Sequence, residues 1–211
     1  MQKLTLALLM FSFSLIAQGQ TAIHEFSKAY FRSDPFSSTA RFFLQHLLND
    51  PDITAKKTEH RTDSTLFGFE GRYQKYNPFF FRPAKIEVSL SEVALSTVNP
   101  EVKDTVMFYQ LAAYAPATAE GEKDVLREVE KINRKFKKKF FKVTYEKLNS
   151  TPQSPVEGVV YNYFMPLYAV SAATAAWYKL ENNEGYMVLL TMRLKVRSNM
   201  VDLPAPLYNP Q

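Results

Sequence analysis

Cysteine is missing from all 211 residues. Its absence excludes a disulfide framework, a thiolate metal site and a cysteine nucleophile. A bacterial lipid anchor is excluded too, because that anchor is attached to a cysteine after the export signal. Glycine is scarce, with six in the chain, so the backbone has few places to close on a phosphate. No Gly-rich phosphate loop, G-x-S-x-G elbow or S-x-x-K motif occurs. The three histidines, His24, His46 and His60, form no i, i+4 pair of the kind a zinc-protease helix needs. No metal site and no cofactor is expected.

Long apolar runs are equally rare. The one clear case is Leu4 to Ala17, preceded by Lys3 and followed by small residues at Ala17 and Gly19. A charged n-region, an apolar h-region and an A-x-A-like end make a secretory signal peptide over residues 1–19. Cleavage is expected after Ala17 or after Gly19, leaving Gln at the new N-terminus. The run is short of the roughly 20 apolar residues that a membrane-crossing helix needs. Later apolar stretches are broken by Asn, Pro, Ser and Thr, so no transmembrane span is expected in the mature chain. Export without disulfides points to a bacterial periplasm or the extracellular space.

What the chain does have is aromatics: seventeen Phe and twelve Tyr, residues that favour strands. Residues 20 to 35 read as a polar entry segment ending at Ser33-Asp34-Pro35. A helix is predicted from about Phe36 to Asn49, where Ala40, Phe43, Leu44, Leu47 and Leu48 share a face. Four strands are predicted next, over Ile53–His60, Thr65–Tyr76, Ala84–Ser96 and Thr105–Ala115. The third carries a shift of apolar register that suggests a bulge near Ser91-Glu92. The fourth is apolar on both sides, as a central strand covered on both faces would be. A long helix follows from about Glu120 to Phe140, its Val125, Val129, Ile132, Phe136 and Phe140 stepping at the helical period. Four more strands are predicted over Phe141–Leu148, Val156–Phe164, Ala169–Leu180 and Tyr186–Val196. The tail from 201 to 211 is expected to be irregular.

The order is helix plus four strands, twice. Glu70-Gly71 and Glu157-Gly158 recur at an offset of about 87 residues, each shortly before an aromatic, proline-containing stretch. The expected class is therefore α+β, with antiparallel sheets and packed helices, and two tandem units at 20–116 and 117–200. This layout resembles that of cystatin-like and other tandem α-β4 domains of the cell envelope.

Three sets of residues invite a functional reading. Between Pro78 and Pro83, the consecutive Phe79, Phe80 and Phe81 cannot all face one core from a strand, because side chains alternate. With Tyr76, Arg82 and the similar stretch containing Tyr163 and Tyr168, they are candidates for an exposed apolar contact patch. Arg134, Lys135, Lys138, Lys139 and Lys142 form a basic run, a weaker candidate for anionic surfaces, although cations at a helix C-terminus also suit the macrodipole. Glu70, Glu87, Glu92 and Glu157 lie in predicted strands, where two acids could face each other across a cleft.

These features favour a non-catalytic binding or interaction module. Its partner would be a hydrophobic small molecule or an envelope protein, and no nucleic acid is expected. The alternative is a small secreted hydrolase with acidic residues in a cleft between the two halves.

Overall fold

Thr118 begins the long helix by accepting a hydrogen bond on its hydroxyl from the Gly121 amide at 3.1 Å, an N-cap that satisfies one orphan donor of the first turn. In the computed structural model this helix spans Ala119–Phe136. The structure describes residues 21–36, 39–59, 65–96, 103–150, 156–166, 170–197 and 200–202. The predicted apolar stripe is wholly inward, with Val125, Val129, Ile132 and Phe136 each no more than 1 % exposed. Gly121 is required at the first turn, because a Cβ there would lie 2.2 Å from the Pro116 carbonyl oxygen.

Residues 21–30 form α1, Ala40–Asn49 α2 and Ala119–Phe136 α3. The strands are β1 (Ile53–Glu59), β2 (Thr65–Tyr73), β3 (Lys85–Ser96), β4 (Lys103–Ala115), β5 (Lys142–Leu148), β6 (Glu157–Phe164), β7 (Ala173–Lys179), β8 (Tyr186–Arg197) and β9 (Met200–Asp202). All nine belong to one sheet ordered β1-β2-β3-β4-β8-β7-β6-β5, with β9 paired to β8. Every pairing is antiparallel. The fold is thus mixed helix and strand around one antiparallel sheet. Among the described residues no helix is long and apolar enough to cross a membrane.

Alternation sorts the sheet into two faces. Leu90, Tyr109, Leu111, Val188, Leu190, Met192 and Leu194 are at most 1 % exposed and point to the side where α3 crosses β4, β7 and β8. Phe26 of α1 lies 5.1 Å from Phe136 and 6.0 Å from Tyr163, ring centre to ring centre. Phe31 and Phe43 bring α1 and α2 onto Tyr109 at 4.5 and 5.1 Å. The helices form one layer on one face, and no helix packs on the other among the described residues.

Several expectations change here. Residues 21–30 are a helix and not a polar entry segment. Ile23, Phe26 and Tyr30 step by three and four, and the polar Thr21, His24, Glu25 and Lys28 between them hide that period. Strand β4 is central, but among the described residues helices cover one of its faces only. The irregularity expected at Ser91-Glu92 lies on the opposite strand. There the β2–β3 register shifts between Thr65 and Phe67, while β3 pairs with β4 without a break. The tail is not irregular at its start, since Val201 pairs with Val196. The two Glu-Gly pairs also fall out of phase. Glu70 pairs with Ser89 on the uncovered face, whereas Glu157 pairs with Lys179 in the row shared with Tyr186, whose hydroxyl reaches Glu122 of α3 at 3.3 Å.

If α1 belongs to the core, Phe26→Ala should cost about 3–5 kcal/mol, the usual range for a fully buried ring. Urea unfolding of the purified variant measures this. A loss under about 1 kcal/mol, typical of surface substitutions, would mean that α1 is only laid on the surface.

Candidate binding site on the uncovered sheet face

On the uncovered face one row runs across all eight strands of the main path. Following the pairings, Lys57 faces Glu70, Glu70 faces Ser89, Ser89 faces Gln110, and Gln110 faces Thr191. Thr191 then faces Thr174, Thr174 faces Asn162, and Asn162 faces Thr144. Every member is polar. At the centre the Ser89 hydroxyl donates to Gln110 Oε1, and Gln110 Nε2 donates to Thr191 Oγ1, both at 3.2 Å. These two bonds cross from β3 through β4 to β8 and fix the Gln110 amide between the two halves of the sheet.

The neighbouring row is apolar in its middle, with charges at Arg72 and Glu87 on one side and at Glu146 on the other. It reads Thr54, Arg72, Glu87, Ala112, Leu189, Ala176, Val160 and Glu146. The row beyond supplies Lys85, Tyr114, Met187 and Tyr178. The parts of these rows on β1 to β4 and β8 line a depression of ≈ 310 Å³, with Ala112, Met187 and Leu189 as its apolar part and Lys57, Glu70, Arg72, Ser89 and Gln110 along its polar side. A second hollow of ≈ 280 Å³ shares Lys57, Glu70, Ser89 and Gln110 and continues toward Glu59 and Ser91. The volume is at the lower end for a small-molecule site, and apolar lining with a few placed polar groups is the usual pattern.

Glu87 is the best-held charge in the depression. Lys85 Nζ lies 3.0 Å and Arg72 NH2 3.5 Å from its Oε1, and the Tyr114 hydroxyl also bonds to it. Burial raises the pKa of this carboxyl, but the three donors outweigh burial and leave it below the ordinary glutamate value. Tyr114 moves upward, through burial first and then through its bond to Glu87. Lys85 Nζ sits 3.9 Å over the Tyr114 ring. On the far side of the polar row, Arg193 lies 5.2 Å over the Phe108 ring. Burial lowers its pKa, and its Nε has no hydrogen-bond partner.

The residues singled out from the sequence lie elsewhere. The run from Tyr76 to Arg82 is a turn bonded to itself: Asn77 Oδ1 accepts from the Phe79 amide and Asn77 Nδ2 donates to the Phe81 carbonyl, both at 2.9 Å. This Asx turn sends Phe79 and Phe81 inward, each 6 % exposed. The exposed apolar patch is therefore corrected: Phe79 and Phe81 are core, and only Phe80, 41 % exposed, looks out. The turn is pinned to α3, where the fully buried Glu128 accepts from the Phe80 amide at 2.9 Å. Burial raises the Glu128 pKa, with the Phe80 N–H and Lys131 pulling the other way. Lys131 Nζ also lies 4.8 Å over the Phe80 ring.

Tyr76 is half-buried against Tyr73, with ring centres 5.0 Å apart, and Arg82 is exposed. Tyr163 is fully buried against Phe26 and Phe140, so it too is core. Tyr168 lies outside the described residues, as do His60, Arg61 and Asp63.

In the basic run, Lys139 pairs with Glu25. Lys135 lies over the Tyr30 ring at 5.6 Å and Lys142 over Phe164 at 5.7 Å. Arg134 and Lys138 are exposed. Of the four acids singled out, Glu70 and Glu87 share a hollow. Glu92 faces the helices, where burial raises its pKa, and Glu157 pairs with Lys179 at 3.4 Å. His24 packs against Phe36, and His46 is exposed. Among the described residues no group of three or more His, Asp or Glu could hold a metal ion.

Missing from the sequence reading are Gln110, Thr191, Ser89, Arg72, Tyr114 and Leu189. A signal was present: Gln110, Asn162, Thr174 and Thr191 are each a polar residue flanked on both sides by apolar or aromatic ones. Only the strand order aligns them. No family model matches the chain, and neither a curated protein nor a solved structure matches it significantly.

The lowered Glu87 pKa fixes a sign. Stability from its bonds is present above the unfolded value, about 4.3 for glutamate, and is lost as pH falls through the lower folded value. Glu87→Gln should therefore lower Tm at pH 7, by a modest amount because the side chain is a third exposed. The gap should close as the pH is taken below about 4, as thermal unfolding across a pH series would reveal. A gap of constant size at every pH would mean that the charge on Glu87 contributes nothing.

Proposed function

We propose that the protein is a non-catalytic binding module exported to the cell envelope, and that its uncovered sheet face holds an amphipathic ligand. The observation that carries this reading is the pair of neighbouring rows, one polar across eight strands and one apolar at its centre, meeting in a single depression. A ligand with an apolar body would lie along Ala112, Leu189 and Met187. Its polar edge would meet Gln110, Ser89 and the cations of Lys57 and Arg72. A small hydrophobic molecule or an apolar segment of an envelope protein satisfies the same chemistry.

The hydrolase alternative has one point in its favour, since Glu70 and Glu87 line the same hollow. A glycosidase-type pair needs one carboxyl that holds its proton. Glu87 is instead bound by two cations and a phenol that keep it charged. Both acids also belong to β2 and β3, within one half of the chain. Binding is the better reading.

An amphipathic fluorescent dye such as anilinonaphthalene sulfonate separates the face from the aromatic turn. Leu189→Glu should reduce its bound fluorescence several-fold, while Phe80→Ser should leave it unchanged. The opposite pattern would return the site to the turn.

The export reading rests on residues 1–19, which lie outside the described residues. Intact mass of the protein recovered from its native cell should correspond to a chain beginning at Gln18 or Gln20. A chain still carrying Met1 or Leu4 would overturn it. We also read the chain as two α-β4 units, 20–116 and 117–200, in a tandem cystatin-like layout. Support comes from the repeated order, since α2 precedes the meander β1–β4 and α3 precedes the meander β5–β8.

A further inference from the structure

The sheet ends in two edges of different character. At β1 the register shifts between Thr54 and Lys57, and Ala55 has φ +50°. Lys56 folds away to the Leu48 and Asp50 carbonyls at 2.6 and 2.8 Å. A bulge and a diverted lysine are common devices that keep an edge from pairing with another chain. At the other edge, β5 has neither. Its seven residues pair with β6 in unbroken register from Lys142–Phe164 to Leu148–Gly158. No described element pairs with its outer side. Two of the few large apolar side chains left exposed sit here, Phe141 at 62 % and Tyr145 at 59 %. The chain from Arg134 to Lys147 carries seven Lys or Arg against the single acid Glu146. Five of those cations lie between Arg134 and Lys139, leading into the Lys142 end of the strand, and among the described residues Lys139 is the one of them with an ion-pair partner.

We propose that β5 is an acceptor edge for an extended acidic peptide, which adds to the sheet as an antiparallel strand beside β5. Main-chain bonds would supply the affinity, and side chains at alternate positions the selectivity. Antiparallel addition sets the direction. The C-terminal end of the incoming strand lies beside Lys142 and the basic corner, so its Asp and Glu residues belong at that end. Its apolar residues then lie opposite Tyr145, where cross-strand pairs stabilise a sheet. The acidic peptide is the favoured occupant because the charge at this edge is almost entirely positive. This edge is independent of the depression on the uncovered face, which lies toward the other side of the sheet.

The test uses the whole mature protein and a short fluorescein-labelled peptide of alternating Val and Thr ending in a block of Asp, read by anisotropy. Binding should weaken by about tenfold or more in the double variant Lys138→Glu with Lys142→Glu, two exposed positions outside the core, where the variant keeps a cooperative thermal melt. It should also weaken when the peptide is reversed so that the Asp block comes first. Two further peptides, N-methylated at odd or at even amides, settle the mode. In an added strand only one set of amides faces β5, so one peptide should lose binding and the other keep it. Equal binding by both methylated peptides overturns the proposal. So does equal binding by a polyaspartate chain without strand-forming residues or by a DNA duplex at the same salt, because either would make this a general polyanion surface.

Discussion

Ten residue pairs between β4 and β8, from Val106–Lys195 to Ala115–Tyr186, join two four-stranded meanders into one sheet. Most other features depend on this ladder. Pairing partners in a sheet share a face, so setting Tyr109 opposite Met192 and Leu111 opposite Leu190 brings the apolar sides of both meanders to the same side. The three α-helices among the described residues then have one surface to cover, and they cover it together. Slipping the register by one residue would turn one meander's apolar side outward. The twin stripes of fully buried residues on β4 and β8 therefore specify the junction as well as fill the core.

Among the described residues a single helical layer leaves the second face to be finished by the strands' own side chains. Its composition differs from the core in a regular way. Polar residues occupy one complete row, and small or medium apolar residues sit at the centre of the next. The hydrogen bonds from Ser89 through Gln110 to Thr191 cross the junction itself. Polar groups in the middle of a wide sheet satisfy one another and so lose less on leaving water. The charges of Arg72, Lys85 and Glu87 are gathered at one flank, where Glu87 is a fixed anion. An unequal distribution of this kind gives the face a direction, apolar in the middle and ionic toward β1.

Much of the architecture was legible in the sequence because it is written in periodicity. The steps of three and four along α3 and the alternation along β8 appear directly, and so does the order of helix and meander. α1 was missed because polar side chains occupy its outer face, and its Ile23, Phe26 and Tyr30 are too widely spaced to read as an apolar run. The candidate site was not legible for a different reason. Gln110, Thr191, Thr174 and Asn162 are far apart in the chain and meet only through the order β4-β8-β7-β6, which no local pattern encodes. The aromatic turn misled for a related reason. Three adjacent Phe look exposed when strand alternation is assumed, but the Asn77 side chain bends the backbone so that Phe79 and Phe81 both turn inward.

The β4–β8 ladder also governs the order in which the molecule can assemble. Neighbouring strands of each meander close short loops, whereas the pairs of the central ladder join residues about 70 to 90 positions apart. Long-range closures of this kind are slow because loop entropy is lost before contacts form. Each meander can pair within itself before β4 and β8 meet. Until they do, β4 is an edge strand offering Met107, Tyr109 and Leu111 with unpaired main-chain groups beside them. A chain caught at that stage exposes the edge most prone to associate with its own kind, and closing the central ladder is what removes it.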